Sequence, residues 1–368
     1  MTKWFELQNV DKIDSPTLVI FRDRVEENIK TLVRSINDPS RLRPHVKTHK
    51  SHEVTKMMLE HGIRKFKCAT IAEAEMTLKA GAKDVLLAYQ PVGPKAQRLL
   101  QLIKEFPNAK IACLIDNIKI ATALAALFDS QAMSVPVYID LNVGMNRTGI
   151  APGEAFELAK HCTSLKGLEL KGLHAYDGHI RDTDFTLRRK RSDEAFAQVE
   201  ELRNRIKNEL NNLLDVVVGG TPTYSVHVLR SNVECSPGTF IYWDKGYEAI
   251  LQEQKYLHAA VVITRVISKP AAGIICVDLG HKSIASENPL TNRVSFINAP
   301  DVTPVGHSEE HMVLKYGEGD NFEVGDVLYG IPYHVCPTVA LYERTAVATE
   351  GKVTEWWMTE SRNKRINF

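Results

Sequence analysis

The sequence predicts an α/β protein built as a (β/α)8 TIM-type barrel followed by a smaller all-β domain. Between about residues 40 and 240, short β-rich runs alternate with longer amphipathic stretches. Several of these runs are almost continuously apolar, which is typical of parallel strands covered by helices. Eight strand–helix steps in roughly 200 residues favour a closed barrel, an architecture that typically needs around 250 residues.

Each barrel strand is predicted from a short apolar run. Helical periodicity predicts helices over 52–62, 71–81 and 184–210, and the first two end at Gly62 and Gly81, because glycine favours the position beyond a last helical turn. An open doubly wound sheet is the structural alternative, weakened because no G-x-G-x-x-G follows the first strand. The predicted strands are 43–46, 65–69, 84–88, 109–115, 135–141, 168–175, 215–220 and 232–236.

After about residue 250 the pattern changes to short strands separated by turn residues, with little helical periodicity. We therefore predict two domains, a barrel over 13–250 and a β domain over 251–368. The strand-like runs of the second domain are 259–267, 273–280, 311–317, 326–332, 345–351 and 352–360.

Composition excludes several classes of protein. The 46 basic and 45 acidic residues leave a net charge of +1, which removes the electrostatic case for a nucleic-acid or anionic-membrane partner. No apolar run approaches the roughly 18 residues of a membrane span, and the first residues lack the apolar core of a signal peptide. The six cysteines are scattered and do not form a disulfide framework. The sequence predicts a cytoplasmic protein.

Lys47 is the first candidate for chemistry. It follows the first predicted strand in R-P-H-V-K-T-H-K, at the barrel face where active sites are assembled. A partly desolvated lysine has a lowered pKa, which frees its amine for Schiff-base chemistry. The alternative is a polar loop with solvated charges.

Two further barrel loops carry candidate ligand contacts. Arg147 lies in D-L-N-V-G-M-N-R-T-G after the fifth strand, and its fixed fork of donors suits a phenolate or carboxylate oxygen. His174 and Tyr176 end the sixth strand and share one face by period-2 alternation. The alternatives are a surface arginine, a hydrogen-bonded core histidine and a packed tyrosine.

The loops after the seventh and eighth strands are where barrel enzymes frequently hold a phosphate. They contain Gly220 with Thr221 and Gly238 with Thr239, whose amides and hydroxyls make a neutral donor nest. Either loop alone could be an ordinary turn, so the prediction of a phosphate site depends on the two loops occurring together.

In the β domain, His334-x-Cys336 is interpreted as an extended segment with both side chains on one face. Imidazole and thiolate suit an open, catalytic zinc site. A buried free cysteine is the alternative. A structural zinc site would need four protein ligands, and His307 with His311 is the one further pair nearby.

Together these motifs resemble the D-serine dehydratase and D-threonine aldolase family of alanine-racemase-like (fold type III) pyridoxal-phosphate enzymes. R-P-H-V-K-T-H-K, D-L-N-V-G-M-N-R-T-G and P-Y-H-V-C-P-T-V carry the resemblance. It implies that Lys47 carries pyridoxal 5'-phosphate, that Arg147 lies near its phenolic oxygen, and that the G-G-T-P-T and P-G-T loops hold its phosphate. His334 and Cys336 would bind a divalent metal, zinc in preference to manganese or magnesium.

The resemblance also implies a homodimer, with residues 1–12 joining the C-terminal β domain. The implied activity is the conversion of a β-hydroxy D-amino acid, such as D-serine or D-threo-3-hydroxyaspartate, to a 2-oxo acid and ammonia. His-x-Cys resembles the dehydratases, whereas P-T-V-A-L-Y-E also resembles aldolases, so D-threonine cleavage to glycine and acetaldehyde is the alternative. His179 or a metal-bound hydroxide is the candidate base for that cleavage.

Two other activities are less favoured. Racemases of this group carry an arginine where this sequence has Ser236, before the P-G of the eighth strand. A fixed positive charge facing the pyridine nitrogen is therefore not expected here. A non-catalytic pyridoxal-phosphate carrier on the same barrel would usually lack the β domain.

Overall fold

The computed structural model describes residues 3–317, 319 and 321–368. Its contacts divide the chain into two compact units. The β unit comprises the chain up to Thr31, Thr48–Ser51 and Thr239–Arg362, and the barrel unit comprises Leu32–Lys47, His52–Gly238 and Asn363–Phe368. The domain limits 13–250 and 251–368 stay a prediction. Among the described residues, no helix is both long and apolar enough to cross a membrane.

One strand of the β unit precedes the seven strands of the barrel unit. The barrel strands are all parallel and pair in chain order. They agree with seven of the eight predicted barrel strands to within a few residues. The strands are β1 (Thr17–Phe21), β2 (Lys65–Cys68), β3 (Asp84–Leu87), β4 (Lys110–Ile115), β5 (Val135–Leu141), β6 (Leu168–Ala175), β7 (Asp215–Val218) and β8 (Glu234–Cys235).

Residues 42–45 close the ring, at the place of the first predicted strand. Leu42 bridges Cys235 on β8, and His45 bridges Lys67 on β2, both in the parallel sense. The segment is not a regular strand because Pro44 has no N–H to donate. Its carbonyl still accepts from the Lys67 N–H at 2.9 Å. The closed barrel is therefore confirmed. The place of its first strand is taken by residues 42–45, which make isolated β-bridges instead of a regular strand.

Helices alternate with the barrel strands as the sequence predicts. Gly62 and Gly81 follow two of them with φ of 87° and 106°, a conformation in which glycine has no steric cost. The predicted helix 184–210 forms over Phe185–Leu210, and Asp184 is its N-cap residue, whose carboxylate accepts from the Leu187 N–H. The helices are α1 (Arg22–Arg34), α2 (His52–Glu60), α3 (Ile71–Lys79), α4 (Pro94–Glu105), α5 (Ile118–Asp129), α6 (Ala155–Ser164), α7 (Phe185–Leu210), α8 (Tyr224–His227), α9 (Lys245–Ile250) and α10 (Val335–Leu341).

The barrel interior is part apolar and part charged. Apolar side chains from β3, β4, β5 and β7 pack there as one cluster, which includes Leu86 and Tyr138. At one level Arg43 is paired with Glu234 and Asp84, each at 2.6 Å, and Lys65 also pairs with Glu234. This level is electrically balanced, with two cations and two carboxylates.

The described residues of the β unit form a nine-stranded sheet in which the long strand β9 pairs with β1, β10 and β14. Phe5, Leu7 and Ile13 pack into its core beside Val19 and Phe21 of β1. Residues 1 and 2 of the predicted segment 1–12 lie outside the described residues. The remaining strands are β9 (Ala260–Ala271), β10 (Ile274–Val277), β11 (Val294–Phe296), β12 (Thr303–His307), β13 (Met312–Lys315), β14 (Val327–Pro332), β15 (Arg344–Thr349) and β16 (Lys352–Met358).

Candidate functional site

Lys47 lies in a short 3-10 turn, Val46–Thr48, directly after the segment that closes the barrel. The turn is formed locally, since the backbone N–H of Lys47 donates to His45 Nδ1 at 3.3 Å. The side chain is half-buried. The Lys47 amine, which follows the carboxyl end of the closing segment, is therefore accessible to a ligand and partly removed from water.

The ring of Tyr176 gathers three cations of the barrel unit. Arg147 Cζ lies 5.0 Å from the ring centroid, Lys67 Nζ 5.7 Å and Lys47 Nζ 6.0 Å. All three fall within the range of cation–π attraction, which is about 6 Å. The structure thus brings together Lys47, Arg147 and Tyr176, which the sequence singled out separately, and adds Lys67.

Two glycines leave the space that the Tyr176 ring occupies. A Cβ on Gly220 would lie 2.7 Å from Cε2 of the ring, and one on Gly178 would lie 2.2 Å from Cζ. Real Cβ atoms do not approach so closely, so a side chain at either position would displace the ring. The loop after β7 therefore requires glycine for packing against Tyr176.

The loop that presents Arg147 is organised by Asn142. Its Oδ1 accepts from the N–H groups of Gly144 at 3.2 Å and Asn146 at 3.0 Å. Gly149 has φ of 98°, and a Cβ there would lie 2.7 Å from the Asn142 backbone nitrogen. The D-L-N-V-G-M-N-R-T-G motif thus encodes a closed turn that leaves Arg147 exposed at its tip.

His174 is the middle of a buried hydrogen-bonded chain. Its Nδ1 lies 2.7 Å from Asp140 Oδ1, and its Nε2 lies 3.4 Å from Lys67 Nζ. Burial and the Lys67 charge lower the pKa of His174. Burial opposes ionisation of Asp140, but hydrogen bonds from His174 and Thr148 outweigh it and lower the pKa of that carboxyl. The imidazole is therefore neutral beside an ionised carboxylate.

The two predicted phosphate loops of the barrel unit meet through one hydrogen bond. The Gly238 N–H donates to Thr221 Oγ1 at 3.1 Å. Nearby, the buried carboxylate of Asp177 accepts from Thr223 Oγ1 at 2.6 Å and contacts His227 Nε2 at 2.9 Å. These contacts fix the loop after β7 onto the end of β6. Glycine amides and threonine hydroxyls of this kind are the donors that a small anion such as a phosphate group takes.

His179 packs against the loop that carries Arg147. A Cβ on Gly144 would lie 2.7 Å from its Nε2. Among the described residues, its buried Nδ1 has no hydrogen-bond partner. An imidazole with an unused ring nitrogen can exchange a proton with a ligand.

The His334-x-Cys336 segment is not extended, and that part of the sequence interpretation is wrong. His334 occupies the N-cap position of α10 without a side-chain capping bond, and Cys336 lies in the first turn of this helix. The helix forms here because the Val335 N–H donates to Asp244 Oδ2 at 3.1 Å and Thr338 Oγ1 donates to the His334 carbonyl. The two side chains nonetheless lie close enough for Cys336 to raise the pKa of His334.

Hydroxyl and carboxylate groups surround this pair within the β unit. Glu287 Oε1 lies 2.5 Å from His334 Nδ1, and Thr48 Oγ1 lies 3.1 Å from Cys336 Sγ. Burial lowers the pKa of His334, but hydrogen bonds with Cys336 and Glu287 outweigh it and raise the pKa to about 9. Thr239, predicted at the phosphate, has its hydroxyl 3.8 Å from Cys336 Sγ.

The His334–Cys336 pair can supply two ligands to a metal. Imidazole and thiolate form the borderline-soft donor set that zinc prefers. Within the described part of the chain, no three or more His, Cys, Asp or Glu side chains have the arrangement of a metal site. His307 instead contacts Arg293 Nη1 and the Leu279 carbonyl. A metal on His334 and Cys336 would keep positions open for water or substrate.

Comparison with known families decides the membership of the chain. Residues 20–245 match the family described as alanine racemase, N-terminal domain, and residues 259–348 match a putative serine dehydratase domain. The first match covers more than half of the chain. The chain belongs to the alanine racemase N-terminal domain family. With its second domain, it is a member of the D-serine dehydratase and D-threonine aldolase group of fold type III pyridoxal-phosphate enzymes.

Three relatives of this family member match over nearly full length. The D-threonine aldolase of Arthrobacter sp. is 26% identical over 95% of this chain and 93% of its own. The D-threo-3-hydroxyaspartate dehydratase of Delftia sp. (strain HT23) is 26% identical over 94% and 97%. The crystal structure of D-threonine aldolase from Filomicrobium marinum superposes with a TM-score of 0.88, at 25% identity over 97% and 98%.

Several residues of the site have no sequence motif of their own. Glu287 is 47 positions from His334, so only the fold reveals the pair. Lys67 did leave a signal, because the alternation in K-F-K-C places both lysines on one face of a barrel strand. Asp140 begins the Arg147 motif but carries no indication of its contact with His174.

Proposed function

We propose that the protein is a pyridoxal-phosphate-dependent lyase of β-hydroxy D-amino acids and that it acts as a dehydratase. It would convert D-serine to pyruvate and ammonia, or D-threo-3-hydroxyaspartate to the corresponding 2-oxo acid and ammonia. The observation that carries the proposal is the half-buried Lys47 amine at the barrel mouth, which shares the Tyr176 ring with Arg147. Relatives named aldolases and dehydratases match the chain from end to end.

Each chemical group of pyridoxal phosphate has a proposed partner among the barrel residues. Lys47 is the amine that binds its aldehyde, and Arg147 is the donor for its phenolic oxygen. Gly220, Thr221 and Gly238 are the donors for the phosphate, with Thr239 as a further hydroxyl, and His174 with Tyr176 contacts the ring. Pyridoxal phosphate supplies an electron sink for a bond breaking at the substrate Cα. Once the amino group of the substrate had displaced it from the aldehyde, the free Lys47 amine would take the α-proton.

His334 and Cys336 are the proposed ligands of a divalent cation, zinc in preference to manganese or magnesium. The cation supplies Lewis acidity toward the β-hydroxyl of the substrate. Glu287 on Nδ1 leaves Nε2 of His334 for the metal, an arrangement in which a carboxylate orients a ligating imidazole. Solved variants of a D-threo-3-hydroxyaspartate dehydratase carry alanine for a histidine and for a cysteine two positions later, the second in a metal-free form.

D-Threonine aldolase activity is the second candidate, favoured by the Arthrobacter and Filomicrobium relatives. In this reaction the β-hydroxyl loses its proton, the Cα–Cβ bond breaks, Cα takes up a proton, and glycine and acetaldehyde form. His179, which packs against the loop that carries Arg147, is the proposed base, with a metal-bound hydroxide as the alternative. Racemisation is less favoured: the hydroxyl of Ser236 donates to the Arg43 carbonyl at 2.8 Å, and that position carries no positive charge.

A product assay distinguishes the two lyase activities. The purified protein, loaded with pyridoxal phosphate and Zn²⁺, is incubated with D-serine and with D-threonine. We expect 2-oxo acid and ammonia in equal amounts, and we expect loss of both products after replacement of His334 and Cys336 together. Glycine with acetaldehyde and no 2-oxo acid would make the aldolase correct. Turnover that survives the double replacement would refute the metal site.

Two further proposals follow from the family resemblance. The protein is proposed to act as a homodimer in the cytoplasm, on a small-molecule substrate and without nucleic acid or membrane as a partner. Sedimentation equilibrium of the loaded protein tests the dimer. A mass equal to that of one chain at micromolar concentration would contradict it.

A further inference from the structure

Lys67 is a buried cation that the proposed function leaves without a role. It lies on β2 with 2% of its surface exposed. Its register partner is Leu86, a member of the interior cluster, so the side chain points into the barrel. Lysine is almost never fully buried unless it is paired, because removing its charge from water is costly. A buried lysine at the mouth of a ligand-binding barrel therefore requires an explanation.

The Lys67 side chain is held in one orientation. His174 gives its Nδ1–H to the Asp140 carboxylate at 2.7 Å, which leaves Nε2 as an acceptor. Lys67 Nζ lies 3.4 Å from that acceptor and donates to it. The chain from Asp140 through His174 therefore fixes the amine beneath Tyr176, whose ring centroid is 5.7 Å away.

Charged groups from several elements act on this amine. Burial and the nearby Lys47 lower the pKa of Lys67 to about 7, with Asp140 acting in the opposite direction. Arg43 and Asp177 also contribute. Each of these last two has its own partner, since Arg43 pairs with Glu234 and Asp177 with His227. Lys47 and Asp140 are therefore the charged groups at the barrel mouth that act most directly on the Lys67 amine.

The mouth of the barrel consequently carries more positive than negative charge. Lys47, Lys67 and Arg147 surround the Tyr176 ring, and Asp140 is the carboxylate that reaches this group through His174. The deeper level around Arg43 is balanced by comparison. With Lys47 bonded to the cofactor aldehyde, Lys67 and Arg147 are the cations that remain beside the ring. Positive charge in a partly dry site stabilises an anionic ligand oxygen more than it would in water, and the anionic oxygen in turn favours the charged form of Lys67.

We propose that Lys67 is a positioning residue for the cofactor: together with Arg147 it supplies the positive charge that keeps the phenolic oxygen of bound pyridoxal phosphate ionised. This inference rests on the proposed function, because it requires the cofactor on Lys47. His174 and Asp140 act through Lys67 by holding its amine in place.

The test compares Lys67→Gln with the wild-type protein, both loaded with pyridoxal phosphate. Glutamine keeps a donor for His174 and removes the charge. We expect the pH midpoint of the visible cofactor band to rise by about one unit, a tenfold gain in proton affinity. The dissociation constant of pyridoxal phosphate, measured by fluorescence, should rise about tenfold. Lys67→Arg should restore both values toward wild type.

Two further variants make the result specific. Lys65→Gln removes the same charge two residues away on β2, where Glu234 is the partner, and should leave both values unchanged. Lys67→Met keeps a long aliphatic side chain without the charge and should raise both values as Lys67→Gln does, so the inference stays testable even if Lys67→Gln does not fold. Values for Lys67→Gln and Lys67→Met equal to wild type would overturn the inference.

Reduction with borohydride separates this inference from the proposed function. Mass spectrometry of the reduced wild-type protein should find the cofactor attached to Lys47. If it does and the Lys67 variants titrate like wild type, only the role of Lys67 is wrong. If no cofactor is attached to Lys47, the proposed function fails and the role of Lys67 fails with it.

Discussion

A single carboxylate oxygen decides how the His334 imidazole can be used. Glu287 lies 2.5 Å from Nδ1, and the Nδ1 contact fixes both the ring orientation and the tautomer. The sequence predicted His334 and Cys336 from a local motif but not Glu287, because nothing in a sequence marks a contact across 47 residues. The sequence therefore predicts residues that form a local motif, whereas the distant residues that orient them are found only in the folded structure.

Replacement of Glu287 by glutamine should weaken metal binding without preventing it. The amide cannot hold the imidazole as a carboxylate does, and loss of such partners typically lowers metal affinity by about 10- to 100-fold. Competition with a chromophoric chelator measures the dissociation constant for Zn²⁺. Glu310→Gln, which alters an exposed pair with Lys282, is the matched control. A Zn²⁺ affinity equal to that of wild type would show that Glu287 does not support the site.

At the level of elements, the sequence predicts regular strands well and their interruptions poorly. The strands β2–β8 follow apolar runs, so their existence could be read directly. The run T-L-V-I-F of β1 is equally apolar and buried along its whole length. It is not among the predicted strands because it precedes the strand–helix alternation of the barrel and pairs with the distant strands β9 and β15. The helix α10 was mistaken for an extended segment, because its start depends on Asp244, which is 91 positions away.

The loop after β7 offers a test of element packing. Gly220→Ala should displace the Tyr176 ring, since the new Cβ would lie 2.7 Å from it. We expect the affinity for pyridoxal phosphate to fall about tenfold, with little change in thermal stability because the loop can adjust. Fluorescence titration and thermal unfolding measure the two effects. Gly153→Ala, where nothing lies within 4 Å of the added Cβ, should change neither. Unchanged cofactor affinity in Gly220→Ala would contradict this account of the loop.

For the whole molecule, buried histidines set the response to acid. Burial lowers the pKa of His49 to about 3, and burial also lowers the pKa values of His174, His258 and His307. The unfolded chain binds protons at these positions near pH 6.5, and the native state does not. Unfolding therefore takes up protons, so the free energy of unfolding falls as the pH drops below about 6.5.

His49→Asn should flatten this acid response. The Asn Oδ1 can replace Nδ1 as the acceptor of the Ser51 N–H, and the variant has no group to protonate. Each proton taken up contributes a slope of about 1.4 kcal/mol per pH unit. We expect the variant to lose about that much slope between pH 6.5 and 5, measured by urea unfolding at several pH values. Parallel curves for variant and wild type would rule out His49 as a source of the acid sensitivity.

The closure of the barrel by residues 42–45 has a consequence for synthesis on the ribosome. The Ser236 hydroxyl donates to the Arg43 carbonyl across 193 positions. Residues 42–45 therefore cannot make this contact until the segment around Ser236 has been synthesised. Translation adds about 5–20 residues per second. For roughly ten seconds or more, the nascent chain therefore holds an open sheet with two unsatisfied edges. Chaperones that shield such edges would be most useful to this protein in that interval, before the ring can close.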